Sequence, residues 1–347
     1  MAMRGVVFAE PGAVRVADLP EPSIEDPGDV IVQVSLSAVC GSDLHLYHGR
    51  LPIGPGEPLG HEAVGIVTEA GPAVTSVRPG QRVTVAFAAA CGACWYCRRG
   101  ETSLCGHLLN IGFGARGGGL GGAQSERLRV PRADVNTLAI PDDVDDETAV
   151  MVGDVLTTGW YGAALGGIEP GDAVAVVGMG PVGFFAAQAA RILGADGVVG
   201  IDVSEDRLRL AGAAGAAPVH AGPHVVRSVR ELTDGRGADV AIEAVGTLAA
   251  FTTARTVVRR GGRIVLLGVH GDEHLDVPLG AYWLRRFTLA FAGVCPVQAY
   301  WQRTIEAART GEVHVEPLVS HRLSLEDAPL AYELFDRREA TKVVLVP

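Results

Sequence analysis

The chain has 347 residues, 48% of them hydrophobic and 20% charged, with a formal net charge of −11. That length admits two domains, each with its own core. The acidic balance excludes an electrostatic footprint for nucleic acid or an anionic membrane surface, and no apolar run approaches the roughly 20 residues needed to span a bilayer.

The opening stretch through Phe8 lacks the longer apolar run and cleavage region of a signal peptide. A cytoplasmic protein with reduced cysteines is therefore expected, a setting that favours metal sites over disulfides. The first 150 residues read as mostly β. Short apolar runs at Val30–Leu36, Ala63–Thr68 and Gln81–Phe87 are separated by Gly and Pro punctuation, as in Pro52–Gly56 and Gly71-Pro72. That texture predicts a compact barrel with long loops.

One of those loops reads C-G-A-C-W-Y-C-R-R-G-E-T-S-L-C. Its thiols, Cys91, Cys94, Cys97 and Cys105, match what one tetrahedral zinc requires, and zinc saturated by four thiolates holds structure without an open position for chemistry. A pair of disulfides and an iron–sulfur cluster are the alternatives, but nothing else points to an oxidising compartment or to electron transfer.

From about Gly171 the rhythm changes. Ala173–Val177 reads as a short buried strand, followed by an Ala-rich helix to about Leu193. Gly197–Ile201 is the next strand and Arg207–Ala214 the next helix, with further strands at Val240–Ala244 and Ile264–Leu267. Strands alternating with helices predict a parallel sheet with right-handed crossovers. After about Ala292 come a helix near Tyr300–Arg309, a loop, and a final strand at Val343–Val346.

The strand Ala173–Val177 runs into Gly178-Met-Gly180-Pro-Val-Gly183. A lone G-x-G-x-x-G is weak, but a strand before it, a helix after it and an acid ending the next strand make it a dinucleotide fingerprint. Gly178 permits the tight turn, Gly180 lets the backbone approach a pyrophosphate, and Gly183 lets helix and strand pack closely. Asp202, 19 residues after Gly183, is placed to bind both hydroxyls of the adenosine ribose. A 2′-phosphate there would meet a negative charge, so NAD is expected over NADP, although Arg207 supplies a cation that could help tolerate the phosphate. The ordinary alternative for Asp202 is a turn-forming aspartate.

Two further landmarks precede the cysteine loop: Cys40-Gly-Ser42-Asp43-Leu-His45, and Gly60-His61-Glu62. With the four-cysteine lobe, G-x-G-x-x-G and the closing Thr341-Lys-Val-Val, their order resembles the zinc-dependent medium-chain alcohol dehydrogenases over nearly the whole length. The resemblance implies a Rossmann doubly wound parallel-sheet domain, residues 150–292, inserted in a chaperonin-10-like β-barrel catalytic domain. The latter would comprise residues 1–149 and 293–347, with the structural-zinc lobe at about 88–108. It also implies that substrate and nicotinamide meet between the domains, where closure expels water.

Carried over position by position, Cys40 and His61 match two ligands of a catalytic zinc. The third ligand is Cys in some members and an acid in others. The segment around Asp154 looks like the aspartate-ligand branch of secondary-alcohol and formaldehyde dehydrogenases, and capping of the following helix is the alternative reading. Three ligands leave the open position that zinc catalysis needs, where the ion lowers the pKa of a bound alcohol. Ser42 matches the hydroxyl that hydrogen-bonds the substrate oxygen, and His45 the residue that passes the proton toward solvent. Asp43 looks like the carboxylate that orients the zinc-bound imidazole. Glu62 resembles a glutamate that serves as a transient ligand, with a buried acid paired to an arginine as the alternative. Phe87 matches a substrate-pocket position or is simple core. Pro181, Val182, Val245 and Val269 complete the implied cofactor-binding set.

Some positions depart from the family pattern. Cys295 lines a pocket or fills core. The stretch Gly112–Gly122 carries seven glycines in eleven residues and reads as a mobile loop. Ser125 stands where an aromatic is frequent, and His270 is expected near the nicotinamide carboxamide. The reading is thus a zinc oxidoreductase with two zincs and NAD, acting on a small-molecule alcohol or carbonyl as a homodimer or homotetramer. An aldehyde dismutase or formaldehyde dehydrogenase with tightly held NAD is the second reading. A non-catalytic NAD-binding protein is the third, since fold alone never establishes activity.

Overall fold

The run Val30–Val39, rich in β-branched and aliphatic residues, is buried along most of its length and pairs with three other strands. The computed structural model describes the chain except residues 1, 272, 273, 275 and 276. Along Val30–Val39, Glu62–Ala70 runs antiparallel on one side. On the other, Arg127–Val130 covers the beginning of the strand and Lys342–Val346 its end. Together with Arg82–Val85, Thr137–Ala139 and Val319–Ser324 they form a seven-stranded sheet. Val32, Val67, Val83, Val85, Ile111 and Leu128 close its core, and complete burial of each such side chain stabilises by about 1.5–3 kcal/mol. This sheet belongs to a unit built from the chain up to Asp154 together with Pro296–Arg309 and Leu318–Pro347.

The second unit comprises Val155–Cys295 and Thr310–Pro317. Its six-stranded parallel sheet has the spatial order Ala217–His220, Gly197–Asp202, Ala173–Val177, Ala238–Glu243, Val258–Leu266, Thr288–Phe291. Every residue of Ala173–Val177 is buried, as befits a strand covered on both faces. The chain first steps outward on one side of that strand, then returns to continue on the other. The reversal falls between Ala173–Val177 and Ala238–Glu243, where Val177 pairs with Glu243. Ligands of open α/β sheets bind at the carboxyl ends of strands at such a point. Phe251, Val257 and Ile264 pack with Val177 and Ile201 in the core of this unit. The doubly wound sheet expected from the sequence is present. No helix among the described residues is long and apolar enough to cross a membrane.

Candidate metal centre and nucleotide site

Cys40 follows the end of Val30–Val39, and its turn feeds the short helix Asp43–Tyr47. The turn is tied by its own polar groups: Cys40 N–H donates to Asp43 Oδ2 at 2.9 Å, and Asp43 N–H to the Cys40 carbonyl at 3.1 Å. His61 stands immediately before the strand Glu62–Ala70, and Asp154 at the end of the helix Asp146–Gly153. These separated positions converge. Ligand atoms of Cys40, His61, Glu62 and Asp154 all lie within 4.8 Å of one another, and all four residues are buried. His61 Nε2 is 3.2 Å from Asp154 Oδ2 and 3.2 Å from Ser42 Oγ, while Cys40 Sγ is 3.6 Å from the same Asp154 oxygen. The other ring nitrogen, Nδ1, lies 3.0 Å from Asp43 Oδ1. A carboxylate beside Nδ1 favours a proton on that nitrogen and turns Nε2 toward the cluster.

The electrostatics fit a cation. Burial pushes the Cys40 thiol upward, and Asp154 and Glu62 push it further. Burial alone would lower the His61 pKa, but the Asp43 charge and then close contact with the Asp154 and Asp43 carboxylates carry it well above its ordinary value. One thiol and two carboxyls held this close in a buried cluster repel one another when ionised, and a divalent ion relieves that repulsion. Cys40, His61 and Asp154 therefore suit a zinc ion. Glu62 pairs with Lys342, whose Nζ is 2.5 Å from Oε2, so the partner is a lysine and not the arginine of the alternative reading. Burial lifts the Glu62 carboxyl, with Lys342 opposing, to about 7. Among the described residues its Oε1 has no hydrogen-bond partner.

His45 is half-buried on the short helix, and burial, Arg50 and His48 lower its pKa. Phe87 and Phe113, both partly exposed, bring their ring centroids to 6.2 and 5.7 Å from that of His61. Phe113 comes from the glycine-rich stretch, which is tied down: Glu57 accepts from Gly54 N at 2.6 Å and from Ala115 N at 2.8 Å. Cβ atoms on Gly112 and Gly122 would meet the Gly60 and Leu59 carbonyl oxygens at 2.1 Å each. Those glycines therefore serve close backbone approach beside His61, where the sequence reads as a mobile loop.

In the cysteine loop Cys91, Cys94, Cys97 and Cys105 form no disulfide and bring their sulfurs within 4.8 Å of one another. Backbone amides point at them: Cys94 N to Cys91 Sγ, Cys91 N to Cys105 Sγ and His107 N to Cys105 Sγ, each at 3.3 Å. The Cys97 amide helps lower the Cys94 thiol to about 6, whereas burial and then Cys94 push Cys97 up to about 12. Four thiolates this close need a cation, and the N–H donors suit the tetrahedral zinc read from the spacing.

In the second unit, Gly178 adopts φ +94° between its strand and the helix Pro181–Ile192. A Cβ on Gly183 would lie 1.8 Å from the Gly178 carbonyl oxygen, which no side chain tolerates. On Gly180 it would meet only Arg207 Nη1, at 4.0 Å, so this backbone is open to an approaching group. Pro181 and Val182 start the helix, where free N–H groups and the dipole favour an anion. Asp202 Oδ2 accepts from Met179 N at 2.7 Å, and Oδ1 from Val203 N at 2.7 Å and Ser204 N at 3.0 Å. It thus ties the glycine turn to the next strand. Val245 and Val269, about half exposed, follow the strands ending at Glu243 and Leu266. Glu243, fully buried, accepts from Val245 N and Gly246 N and lies 3.0 Å from His270 Nε2. Cys295 is buried, its Sγ 3.7 Å from the Thr157 carbonyl oxygen. Ser125 is buried, its hydroxyl within reach of the Gly122 and Arg127 carbonyls and donating to one of them.

Sequence reasoning missed Lys342, Phe113, Gln124, Tyr332 and Glu243. A lysine within the apolar run Lys342–Val346 was the one local signal, since an unpaired charge does not persist in a buried strand.

Residues 26–142 match the alcohol dehydrogenase GroES-like domain and residues 181–309 the zinc-binding dehydrogenase domain. The chain is 40% identical to the "Probable zinc-binding alcohol dehydrogenase" of Mycobacterium tuberculosis, over 95% of this chain and 84% of that one. The solved alcohol dehydrogenase TADH from Thermus sp. ATN1 is similar at 42% identity and TM-score 0.93, covering 99% of both chains. A Sinorhizobium meliloti structure with NADP bound is similar at 30% identity and TM-score 0.85, covering 100% of both. With two domain models matched in order and relatives aligned along nearly their whole lengths, the chain belongs to the zinc-dependent medium-chain alcohol dehydrogenases.

Proposed function

We propose that the protein is an NAD-dependent zinc alcohol dehydrogenase of the aspartate-ligand branch, acting on a secondary or polyol-like alcohol. The observation that carries this reading is the convergence of Cys40, His61 and Asp154 with Ser42 Oγ 3.2 Å from His61 Nε2. Zinc held by these three side chains would act as a Lewis acid toward an alcohol oxygen, and bound nicotinamide would accept hydride. Ser42 accepts a hydrogen bond from the substrate hydroxyl and, as it takes that proton, gives up its own in the same step. His45, kept neutral by its lowered pKa, receives that proton and hands it to water. Asp43 fixes the His61 ring, and Phe87 and Phe113 flank it with apolar surface. The four-cysteine lobe holds a second, structural zinc.

Asp202 supports NAD over NADP, because a carboxylate repels a 2′-phosphate. Free thiols at Cys91, Cys94, Cys97 and Cys105 support a reducing, cytoplasmic setting. A homo-oligomer is supported by the sheet edge Thr288–Phe291, which pairs on one side only among the described residues. Nearby Leu279, Trp283 and Phe291 are each at least 70% exposed.

Replacing Cys40 by Ser or Asp154 by Ala tests the reading. Both variants should stay folded and lose NAD-linked oxidation of an alcohol panel. Full activity in both would remove the zinc mechanism, and a higher kcat/KM with NADP would remove the cofactor assignment.

A further inference from the structure

We propose that Gln124 and Tyr332 are positioning residues of the metal centre, acting through Asp43 to hold His61 in its ligating orientation. The inference rests on the zinc reading of Cys40, His61 and Asp154.

Asp43, Gln124 and Tyr332 are each fully buried. The Tyr332 hydroxyl, on the helix Ala328–Asp336, donates to Gln124 Oε1 at 2.9 Å. Gln124 Nε2 donates in turn to the Ala38 carbonyl at 3.1 Å and to Asp43 Oδ2 at 3.4 Å. The same Asp43 oxygen accepts from Cys40 N at 2.9 Å, which leaves Oδ1 facing His61 Nδ1 at 3.0 Å. A chain of hydrogen bonds thus runs from the C-terminal helix to Asp43, whose other oxygen makes a close ionic contact with the back of the His61 ring.

The direction of the chain matters. A carboxamide can flip, and a flipped Gln124 would set its oxygen against the Ala38 carbonyl and the Asp43 carboxylate, two acceptors facing a third. The Tyr332 proton, aimed at Oε1, selects the orientation whose NH2 group meets Asp43. The backbone is held as well. Gln124 N donates to the Leu59 carbonyl at 3.2 Å, and its own carbonyl accepts from Val6 N at 2.8 Å. A Cβ on Gly60 would lie 2.3 Å from Gln124 Cγ, so the glycine before His61 makes room for this side chain. With Oδ2 held by two donors, Asp43 cannot swing away from His61. The imidazole keeps one tautomer and one ring plane, which is what outer partners of a zinc ligand supply.

The test measures metal and not turnover alone. Wild type, Tyr332→Phe, Gln124→Met and the double variant are loaded with zinc, and its transfer to a chromophoric chelator is followed. Circular dichroism checks the fold, and cobalt replacing zinc reports the ligand field. Each single variant should release one of its two zincs about 10-fold faster than wild type, with the lobe zinc retained and the cobalt spectrum of the weaker site altered. The double variant should release it no faster than Gln124→Met, because Tyr332 acts only through Gln124. Unchanged release and spectrum in folded single variants, or effects that multiply in the double, would overturn the inference. If Gln124→Met does not fold, Tyr332→Phe, which keeps the ring beside Tyr47, decides by release rate and spectrum. Wild type with two zincs and indifferent variants overturns this inference alone, whereas wild type with only the lobe zinc overturns the zinc reading with it.

Discussion

The Lys342 ammonium and the Glu62 carboxylate, 280 positions apart in the chain, meet at 2.5 Å in a site where both side chains are sealed from water. Strand pairing explains the meeting. Val30–Val39 lies between Glu62–Ala70 and Lys342–Val346, so the first residues of those two strands share one end of the sheet. Replacing Lys342 by Met leaves the carboxylate buried without its cation, a change that costs about 3–5 kcal/mol. The added substitution Glu62→Gln should recover much of the loss, measured by urea unfolding. The sign with pH follows from burial. It raises the Glu62 pKa in the fold above its unfolded value, so the stability of Lys342→Met is highest at low pH and falls as pH rises through that interval. Equal stability of Lys342→Met and wild type would show that the pair carries no weight.

His45 titrates below its ordinary value because of burial, Arg50 and His48. As the proposed proton acceptor it would work when neutral, so the acid limb of kcat/KM should fall below pH 6.5, the unperturbed value for histidine. Arg50→Gln removes one cationic neighbour and should shift that limb upward. His45→Gln should lower kcat 10²-fold or more and abolish the limb. A limb that persists unchanged in His45→Gln would assign it to another group.

Two glycines of the nucleotide turn make opposite predictions. Gly183→Ala drives a methyl to 1.8 Å from the Gly178 oxygen, so the second unit should be destabilised with or without cofactor. Gly180→Ala meets no close neighbour and should fold normally, yet bind NAD at least 10-fold more weakly, because the methyl occupies the approach of the pyrophosphate. Thermal melts with and without NAD separate the two. An NAD-dependent melting shift in Gly180→Ala equal to that of wild type would contradict the assignment.

The cysteine lobe should fail differently from the proposed catalytic centre. Cys97→Ser removes one of four converging sulfurs and should cost one zinc and thermal stability, since metal binding and local folding are coupled. The zinc at Cys40, His61 and Asp154 should remain. Loss of both metals together would mean that the two sites are not independent.

What could be read from the sequence follows the range of the interactions. Ala173–Val177, the glycine turn and Asp202 lie within one strand–helix–strand passage, so local pattern located them. The cysteine loop is equally local, and its spacing carried its own chemistry. Cys40, His61 and Asp154 lie on separate elements. Their spacing alone did not join them, and family resemblance was needed to propose the set that the fold brings within 4.8 Å. The partners behind them were beyond reach. Gln124 and Tyr332 are 208 positions apart, and neither has a periodic or spacing signal. Gly112–Gly122 misled for a related reason. Glycine reads as freedom when seen alone, but here it permits contact with the backbone at Leu59 and Gly60, which lies far off in sequence.

Zinc per chain, measured on protein purified without added metal or chelator, decides whether Cys40, His61 and Asp154 form a working metal centre. Two zincs are predicted, one removed by mild chelation together with NAD-linked alcohol oxidation and both restored by added zinc. A single chelation-resistant zinc, with no second ion taken up when zinc is supplied, would contradict the metal-assisted mechanism.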